Sequence, residues 1–272
     1  MYLAIDIGGT KTLVASINDE GVIIEHIRFE TPKTYEEFLK ELAINVANIS
    51  TKDFFACGVG VPGRLDRDRS ICIAAGNLPW RDIPIQRDIQ KLVPCPVMIE
   101  NDAKLAGLSE AMLVKYLYSR VLFVTISTGI GVGLIVDQKI DPGLADAEAG
   151  FMLVEQDGKA EYWEKIASGA AIVKKYGKRA HDITDKNSWE EIAHNVGIGL
   201  SDLICVVQPD IIVLGGSVGQ YLERFKEPLE RVLHRYELPL TKVPPVIAAS
   251  RPDDAVLYGC YDLVSNIYGK AH

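Results

Sequence analysis

Short apolar runs alternate with amphipathic stretches along most of the chain. Runs of strand length that end at turn residues predict strands, and apolar residues three or four positions apart predict helices. The predicted strands cover 3–7, 13–17, 22–29, 55–61, 97–99, 121–127, a return strand up to 136, and 210–214. The predicted helices cover 35–49, 81–92, 103–115, 162–176, 189–207, 221–236 and 254–268. Because the two kinds of element alternate, the sequence predicts an α/β fold.

The opening pattern of the chain occurs twice. Residues 3–17 form an apolar run, a glycine-rich turn and a second apolar run, and residues 123–136 repeat that order. Two copies of one hairpin predict a duplicated α/β unit with a cleft between the copies, where small ligands usually bind. We expect an N-terminal lobe over 1–117, joined by the C-terminal helix 254–272, and a C-terminal lobe over 118–253.

Composition narrows the classes of function. The chain has 272 residues, of which 48% are hydrophobic, and a formal net charge of −8. An acidic chain without a basic block is poorly suited to bind nucleic acid. No apolar run approaches the roughly 20 residues that span a bilayer, and the N-terminus lacks a secretion signal, so we expect a soluble, cytoplasmic protein. The five cysteines fit neither a disulfide framework nor a zinc knuckle and predict reduced thiols.

The first glycine-rich turn carries candidate phosphate chemistry. Gly8 and Gly9 would let backbone N–H groups approach a phosphate, because neither residue has a Cβ. Thr10 and Lys11 would add side-chain donors, and Asp6, at the end of the preceding strand, would hold a hydrated Mg²⁺. A hairpin turn without any ligand explains the same pattern.

Two further glycine pairs offer similar chemistry. Thr128 and Gly129 open the second turn, and strand 210–214 runs into Gly215 and Gly216, which would form a flat platform for a ring. A twisted hairpin and a tight strand-to-helix turn are the simpler interpretations. No G-x-x-x-x-G-K-[ST] pattern occurs and neither turn is a G-x-G-x-x-G turn that opens a helix, so the Walker and Rossmann types of site lack support.

Together these motifs resemble the ROK family of sugar kinases and related repressors. That family has the two-lobed actin/hexokinase-like (ribonuclease H-like) ATPase fold, with a cleft between the lobes. The resemblance covers nearly the whole chain, and the motifs follow the order of the family: 6–12, 59–63, 77–80, 100–103, 127–133, Glu148 with Gly150, 164–169, and Gly215 with Gly216.

The resemblance implies a set of site residues and Asp102 as the catalytic base. The implied contacts of ATP and its Mg²⁺ are Asp6, Gly8, Gly9, Thr10, Lys11, Thr128 and Gly129, with adenosine near Gly215 and Gly216. The implied contacts of the sugar, in the interlobe cleft, are Gly63, Asn77, Asn101, Asp102, Glu148 and Glu164. A single carboxylate that accepts the proton of the attacking hydroxyl suits phosphoryl transfer. From the residues alone, Asp102 also fits a helix N-cap, Glu164 a solvated helix face and Asn77 a turn.

The sequence departs from the family at one metal motif. Family members usually carry G-E-x-G-H and then C-x-C-G-x-x-G-C, whose His and Cys residues hold a structural zinc. Here residues 147–151 read A-E-A-G-F, so Phe151 stands at the His position, and residues 152–163 contain no cysteine. The comparison predicts that zinc is absent. Because that His usually also contacts the sugar, Phe151 leaves the identity of the sugar open.

The resemblance favours a glucokinase-like or N-acetylhexosamine kinase-like enzyme. It would transfer the γ-phosphoryl group of ATP to a hydroxyl of the sugar, expected to be O6, and would form a homodimer. The alternatives are a kinase of another small polyol, a catalytically degenerate sugar-binding protein, and a sugar-responsive repressor. The phosphate hairpin begins at residue 3, which leaves no room for an N-terminal helix-turn-helix and disfavours the repressor.

Overall fold

A computed structural model describes residues 1–156, 158–251 and 253–268. The chain divides into two units: the first contains Met1–Met112 and the C-terminal stretch from Asp253 onward, and the second contains the residues between them. The domain prediction from the sequence ended the first lobe at residue 117 and let the chain return to it at residue 254.

The strands, in chain order, are β1 (Tyr2–Ile7), β2 (Lys11–Ile17), β3 (Ile23–Glu30), β4 (Cys57–Val61), β5 (Arg64–Asp66), β6 (Ile71–Ala74), β7 (Arg81–Ile83), β8 (Val97–Asn101), β9 (Arg120–Ile126), β10 (Ile130–Val136), β11 (Lys139–Ile140), β12 (Leu153–Gln156), β13 (Lys159–Tyr162), β14 (Ile211–Gly215) and β15 (Val246–Ala248). The helices are α1 (Tyr35–Asn48), α2 (Ile85–Gln90), α3 (Asp102–Val114), α4 (Trp163–Ala167), α5 (Gly169–Tyr176), α6 (Lys186–Val207), α7 (Gly216–Gly219), α8 (Lys226–Arg235) and α9 (Ala255–Tyr268). Short 3-10 helices cover Ala149–Phe151, Ala180–Asp182 and Leu222–Arg224.

The first unit is built on a five-stranded sheet in the order β3-β2-β1-β4-β8. Strands β1 and β2 form an antiparallel hairpin, and β1, β4 and β8 are parallel neighbours. Strand β4 is buried at every position, which explains its continuous apolar and glycine sequence. Helix α9 packs against β1 and β4, where Cys260 lies so close to Gly58 that a Cβ on that glycine would be 2.5 Å from the Cys260 carbonyl oxygen.

The second unit repeats the same sheet. Its order is β11-β10-β9-β14-β15, with an antiparallel β9–β10 hairpin followed by parallel pairing of β9 with β14 and of β14 with β15. The duplicated hairpin predicted from the sequence is therefore present in both units. The core of this unit lies between the sheet and its helices and includes Trp163, Trp189 and Phe225.

Some predicted boundaries were wrong for local reasons. Residues 81–83 form strand β7 rather than the start of a helix, and the helix begins only after Pro84, which lacks the N–H of a helix interior. The helix predicted over 162–176 is divided at Ser168, whose backbone is extended and whose hydroxyl caps α5 by accepting from Ala171 N–H. The helix predicted over 221–236 begins only at Lys226, after a 3-10 turn.

Other elements were not predicted at all. The antiparallel pairs β5–β6, β6–β7 and β12–β13 are short, and several of their positions are exposed. Apolar periodicity is weak in such strands, since few side chains face a core. Among the described residues, the helices are all too short or too polar to cross a bilayer.

Candidate functional site

The carboxyl ends of three parallel strands assemble the candidate site of the first unit. Asp6 in β1 is level with Gly60 in β4, and Gly60 is level with Glu100 in β8. Because parallel strands end at one edge of a sheet, this register brings Asp6 and Asp102 to the same edge. A Cβ on Gly60 would lie 2.5 Å from Val256 Cγ1, so this position needs glycine for close packing, and Asp6 Oδ1 lies within ordinary contact distance of it.

The two carboxylates of this edge interact electrostatically. Burial and then the charge of Asp102 raise the pKa of Asp6 to about 7. Both residues are partly buried. Two neighbouring carboxylates repel each other when both are ionised, so the pair favours a bound proton or cation.

The predicted phosphate turn is closed by its own backbone. Gly8 N–H donates to the Lys11 carbonyl at 2.9 Å. A Cβ on Gly8 would lie 2.7 Å from the same carbonyl oxygen, so the turn requires a glycine there. A Cβ on Gly9 would lie 3.2 Å from the Asn77 Cβ, which places Asn77 beside the turn.

A segment that the sequence did not single out also holds this turn. Thr31 is buried, and its hydroxyl donates to the Gly8 carbonyl at 2.8 Å, while its N–H donates to the Thr10 carbonyl at 2.9 Å. The Lys33 ammonium donates to the Gly9 carbonyl at 3.3 Å. These contacts join residues more than twenty positions apart, so no local pattern indicated them.

Asn101 holds the neighbouring loop and starts helix α3. Its Nδ2 donates to the Gly63 carbonyl at 2.9 Å, and its Oδ1 accepts from Lys104 N–H at 3.2 Å. Gly63 has φ +96 and a Cβ there would lie 2.1 Å from the Ala74 carbonyl oxygen, so this loop also needs glycine. The N-cap contact that the sequence suggested for Asp102 is therefore made by Asn101. The Oδ1 of Asp102 accepts instead from the N–H of the next residue, Ala103, at 2.8 Å.

An ion pair fixes the residue that precedes Asn101. Arg67 approaches Glu100 with two nitrogens, at 2.9 Å from Nε to Oε2 and 2.5 Å from Nη2 to Oε1. Glu100 is buried and also accepts from Asn101 N–H at 2.6 Å. A bidentate pair of this kind restricts the orientation of the strand end from which Asp102 follows.

In the second unit, Glu164 lies beside both glycine segments predicted to matter. A Cβ on Gly129 would be 2.8 Å from Glu164 Oε2, and one on Gly150 would be 3.4 Å from the same oxygen. The preceding residue, Trp163, is fully buried and donates from Nε1 to the Asn195 carbonyl at 2.9 Å. Trp163 thus anchors the start of α4 and directs Glu164 toward the hairpin tip, so Glu164 is not simply part of a solvated helix face.

A cavity of about 610 Å³ opens next to the same hairpin. Its lining includes Thr128, Gly169, Arg179, His181, Ser217 and Gln220. A Cβ on Gly169 would lie 2.7 Å from the Ser127 carbonyl oxygen, and one on Gly216, which has φ +79, would lie 2.5 Å from the Ile126 carbonyl oxygen. These glycines allow α5 and the start of α7 to approach the hairpin closely beside the cavity.

Glu148 and Phe151 lie together on one 3-10 turn. Phe151 N–H donates to the Glu148 carbonyl at 3.0 Å, and both side chains are exposed. The Phe151 ring meets that of Tyr162 edge to face at 5.8 Å. Within residues 1–156, 158–251 and 253–268, no group of three or more His, Cys, Asp or Glu side chains could hold a metal ion.

The structure thus brings the predicted residues together in two groups. The first unit joins Asp6, Gly8, Gly9, Asn77 and Asp102 with Gly63 and Asn101 near one sheet edge. The second unit joins Gly129 with Glu164, and Thr128 lines one cavity with Ser217, the residue after Gly216. Lys11 is an exposed strand residue opposite Glu30. The sequence did not indicate Thr31, Lys33, Arg67, Arg179 and His181.

Comparisons with known proteins agree on one family. A model of the ROK family matches residues 2–267. A glucokinase of Streptomyces coelicolor is 27% identical over 97% of both chains. A xylose repressor of Caldicellulosiruptor bescii is 24% identical over 96% of this chain and 77% of its own. The crystal structure of a ROK family glucokinase from Streptomyces griseus in complex with glucose and AMPPNP superimposes with a TM-score of 0.80 at 27% identity, covering 96% of this chain and 98% of that one.

Proposed function

The chain belongs to the ROK family and is a sugar kinase, and we propose that it phosphorylates a hexose or an N-acetylhexosamine with ATP. The predicted family resemblance is confirmed, as is the predicted α/β fold of the actin/hexokinase-like ATPase type. The acceptor is proposed to be the primary O6 hydroxyl. Asp102 is proposed to act as the general base.

One observation carries the proposal: Asp102 lies at the same sheet edge as Asp6 and the glycine turn. Phosphoryl transfer requires phosphate-binding backbone, a site for a cation and a carboxylate near the attacking hydroxyl. All three kinds of group occur at this edge within one unit. The likeness to a glucokinase that binds glucose and AMPPNP supports the same arrangement.

The donors at this edge also fit magnesium. Mg²⁺ in phosphoryl-transfer sites is usually bound through one or two carboxylates together with water and phosphate oxygens. Asp6 would hold it through water, with the Asp102 carboxylate at the same sheet edge. Bound Mg²⁺ would supply charge stabilisation to the phosphates. The absence of a cluster of three or more ligating side chains among the described residues is consistent with this mode of binding.

The residues proposed for ATP and sugar have separate tasks. The backbones of Gly8, Gly9 and Thr10, with Lys11, would bind phosphate, as would Thr128 and Gly129. Gly215 and Gly216 would contact adenosine, with the cavity beside Thr128 as the space for it. Asn77, Glu148 and Glu164 would orient the sugar hydroxyls, and Asn101 would do so while it holds Gly63.

Asp102 would remove the proton of the attacking hydroxyl as the new P–O bond forms. Asp102 begins helix α3, and its Oδ1 accepts from the Ala103 N–H at 2.8 Å, so the carboxylate is held at the start of the helix. We also propose that the enzyme is a homodimer.

The proposal is tested by the Asp102→Asn variant, with ATP consumption measured over a panel of glucose, mannose, fructose, allose, N-acetylglucosamine and N-acetylmannosamine. We expect the wild type to phosphorylate at least one of these sugars. Asp102→Asn should lower kcat by a factor of roughly 10² to 10⁴, because it removes the base but keeps the shape of the side chain.

Asp68→Asn is the matched control, since Asp68 is an exposed acid of the same unit and should leave kcat unchanged. Binding of ADP should remain close to normal in both variants. If Asp102→Asn retains activity within about threefold of the wild type, Asp102 is not the base. If the wild type binds ADP and one of these sugars but transfers no phosphate to the sugar that it binds, the catalytically degenerate alternative is favoured over a kinase.

A further inference from the structure

The phosphate turn of the first unit is held by a second segment, Thr31–Lys33. The carbonyls of three consecutive turn residues, Gly8, Gly9 and Thr10, all accept hydrogen bonds from Thr31 or Lys33. The Thr31 hydroxyl also shares a hydrogen bond of 2.9 Å with the hydroxyl of Thr12, which is fully buried in β2. Since the turn carbonyls are occupied in this way, the orientation of its peptide groups is restricted.

The segment itself is firmly attached to the core of the unit. The Lys33 carbonyl accepts from Trp80 Nε1 at 2.9 Å, and Trp80 is buried against Phe38, with ring centroids 4.7 Å apart. The next residue, Thr34, caps helix α1 by accepting from Glu37 N–H, while its hydroxyl donates to the Glu37 carboxylate at 2.6 Å. The backbone from which the Lys33 side chain extends is therefore well defined.

The Lys33 ammonium differs from that of Lys11 in its surroundings. Lys11 is directly opposite Glu30 on the antiparallel strands β2 and β3, where an acidic neighbour offsets its charge. The Lys33 ammonium instead contacts a neutral carbonyl within the turn. An ammonium has three N–H groups, so this contact leaves two for other acceptors.

We propose that Lys33 is a phosphate-binding residue of this kinase and that Thr31 is the residue that positions the turn. The proposal rests on the proposed function, because it takes the turn at Gly8 and Gly9 as a nucleotide phosphate site. Lys33 adds a full positive charge next to the turn, beyond that of Lys11, which Glu30 opposes, and lysine binds phosphate as a point charge. Thr31 acts through the backbone of Gly8 and Thr10 and does not contact the nucleotide itself.

The test compares the binding of ADP with that of adenosine, which lacks phosphate, by calorimetry. Lys33→Met should weaken ADP binding roughly 3- to 10-fold, as expected for the loss of one exposed charged contact, and should leave adenosine binding within twofold. Lys33→Arg should restore most of the ADP affinity. Lys40→Met, at an exposed lysine of helix α1, is the matched control and should change neither affinity.

Salt provides a second readout that a purely structural role would not change. Wild-type ADP affinity should fall as ionic strength rises, and the fall should be shallower for Lys33→Met, since one screened attraction is already missing. For Thr31, valine should weaken ADP binding while serine keeps the hydroxyl and retains the affinity. The melting temperature of each variant shows whether the fold is intact.

The outcomes separate the inference from the proposed function. If Lys33→Met binds ADP as tightly as the wild type, or if ADP and adenosine weaken equally, Lys33 does not bind phosphate. Equal ADP affinity for Thr31→Val and the wild type would overturn the positioning role of Thr31. If the wild type itself binds no ADP, the proposed function fails together with this inference, and that result is read from the wild type alone.

Discussion

Asp6 shows how the environment of one residue determines its chemistry. A carboxylate in water loses its proton near pH 4, but burial and the neighbouring Asp102 raise the pKa of Asp6 to about 7. Below that pH the protonated form of Asp6 becomes populated in the ligand-free protein. A cation that binds at Asp6 would displace the proton, so the strength of its binding should increase with pH through this range.

The thiols provide a test of burial at the level of single residues. Cys57, Cys72, Cys95 and Cys260 are buried, and burial raises the pKa of Cys72 and of Cys95 to about 11. At pH 8 these thiols remain protonated and unreactive, because only the thiolate is a nucleophile. Cys205 is exposed and should react first with iodoacetamide.

Mass spectrometry of labelled peptides measures this difference. We expect Cys205 to be alkylated at least tenfold faster than the other four at pH 8, and Cys205→Ser should abolish the fast phase. Comparable labelling of Cys72 or Cys95 in the folded protein would show that these sites open readily to solvent.

At the scale of secondary-structure elements, the packing of helix α4 against helix α6 determines where Glu164 lies. Gly199 lies in α6 under the Trp163 ring, and a Cβ there would come within 2.2 Å of a ring atom. The ring has no free space into which it could retreat, since Trp163 is fully buried. The position of α4, and with it that of Glu164, therefore depends on a glycine one helix away.

Gly199→Ala should consequently affect both stability and catalysis. We expect a loss of about 1–3 kcal/mol in the free energy of unfolding from overpacking. Displacement of Glu164 should also lower kcat/KM for the sugar by about tenfold or more. Thermal denaturation and steady-state kinetics measure the two effects.

Ser201→Ala is the control on the same helix, since the Ser201 hydroxyl only donates to the Gly197 carbonyl one turn earlier. It should change the free energy of unfolding by less than about 1 kcal/mol. A Gly199→Ala variant with normal stability would mean that Trp163 can move without cost.

At the scale of the whole molecule, one sheet plan is used twice. Both sheets place a hairpin first and then add two parallel strands on the same side. The copies differ at one equivalent position: Asp6, level with Gly60 in the first sheet, corresponds to Thr125, level with Gly215 in the second. A glycine thus occupies the same place in both sheets, whereas the carboxylate at this level belongs to the first sheet.

The prediction for the whole molecule concerns its metal content. With Phe151 at the position of the family's histidine, the purified protein should contain far less than one zinc per chain. Elemental analysis checks this directly. EDTA should leave the melting temperature unchanged, because no structural metal would be withdrawn. A zinc content close to one per chain, or a lower melting temperature in EDTA, would contradict the interpretation of Phe151.

The central strands and the long helices were predictable because their patterns are strong. Strands β1 and β4 are buried on both faces and α1 has a regular apolar face, so local residues decide them. The exposed pair β12–β13 was not predictable, since its stability comes from pairing between strands rather than from its own apolar pattern. The division of 162–176 at Ser168 likewise depends on the contact of Gly169 with the Ser127 carbonyl, far away in the chain.

The sequence by itself determined the α/β class, the duplicated hairpin and the residue types that the chemistry needs, because these depend on local periodicity and on side-chain identity. Only the tertiary structure decided that Asp6 and Asp102 share an edge, that Asn101 caps α3, and that Thr31 and Lys33 hold the turn at Gly8 and Gly9. Strand register and contacts between residues far apart in the sequence bring these groups together. The distances between the groups are therefore set by the folded core and not by neighbouring residues in the chain.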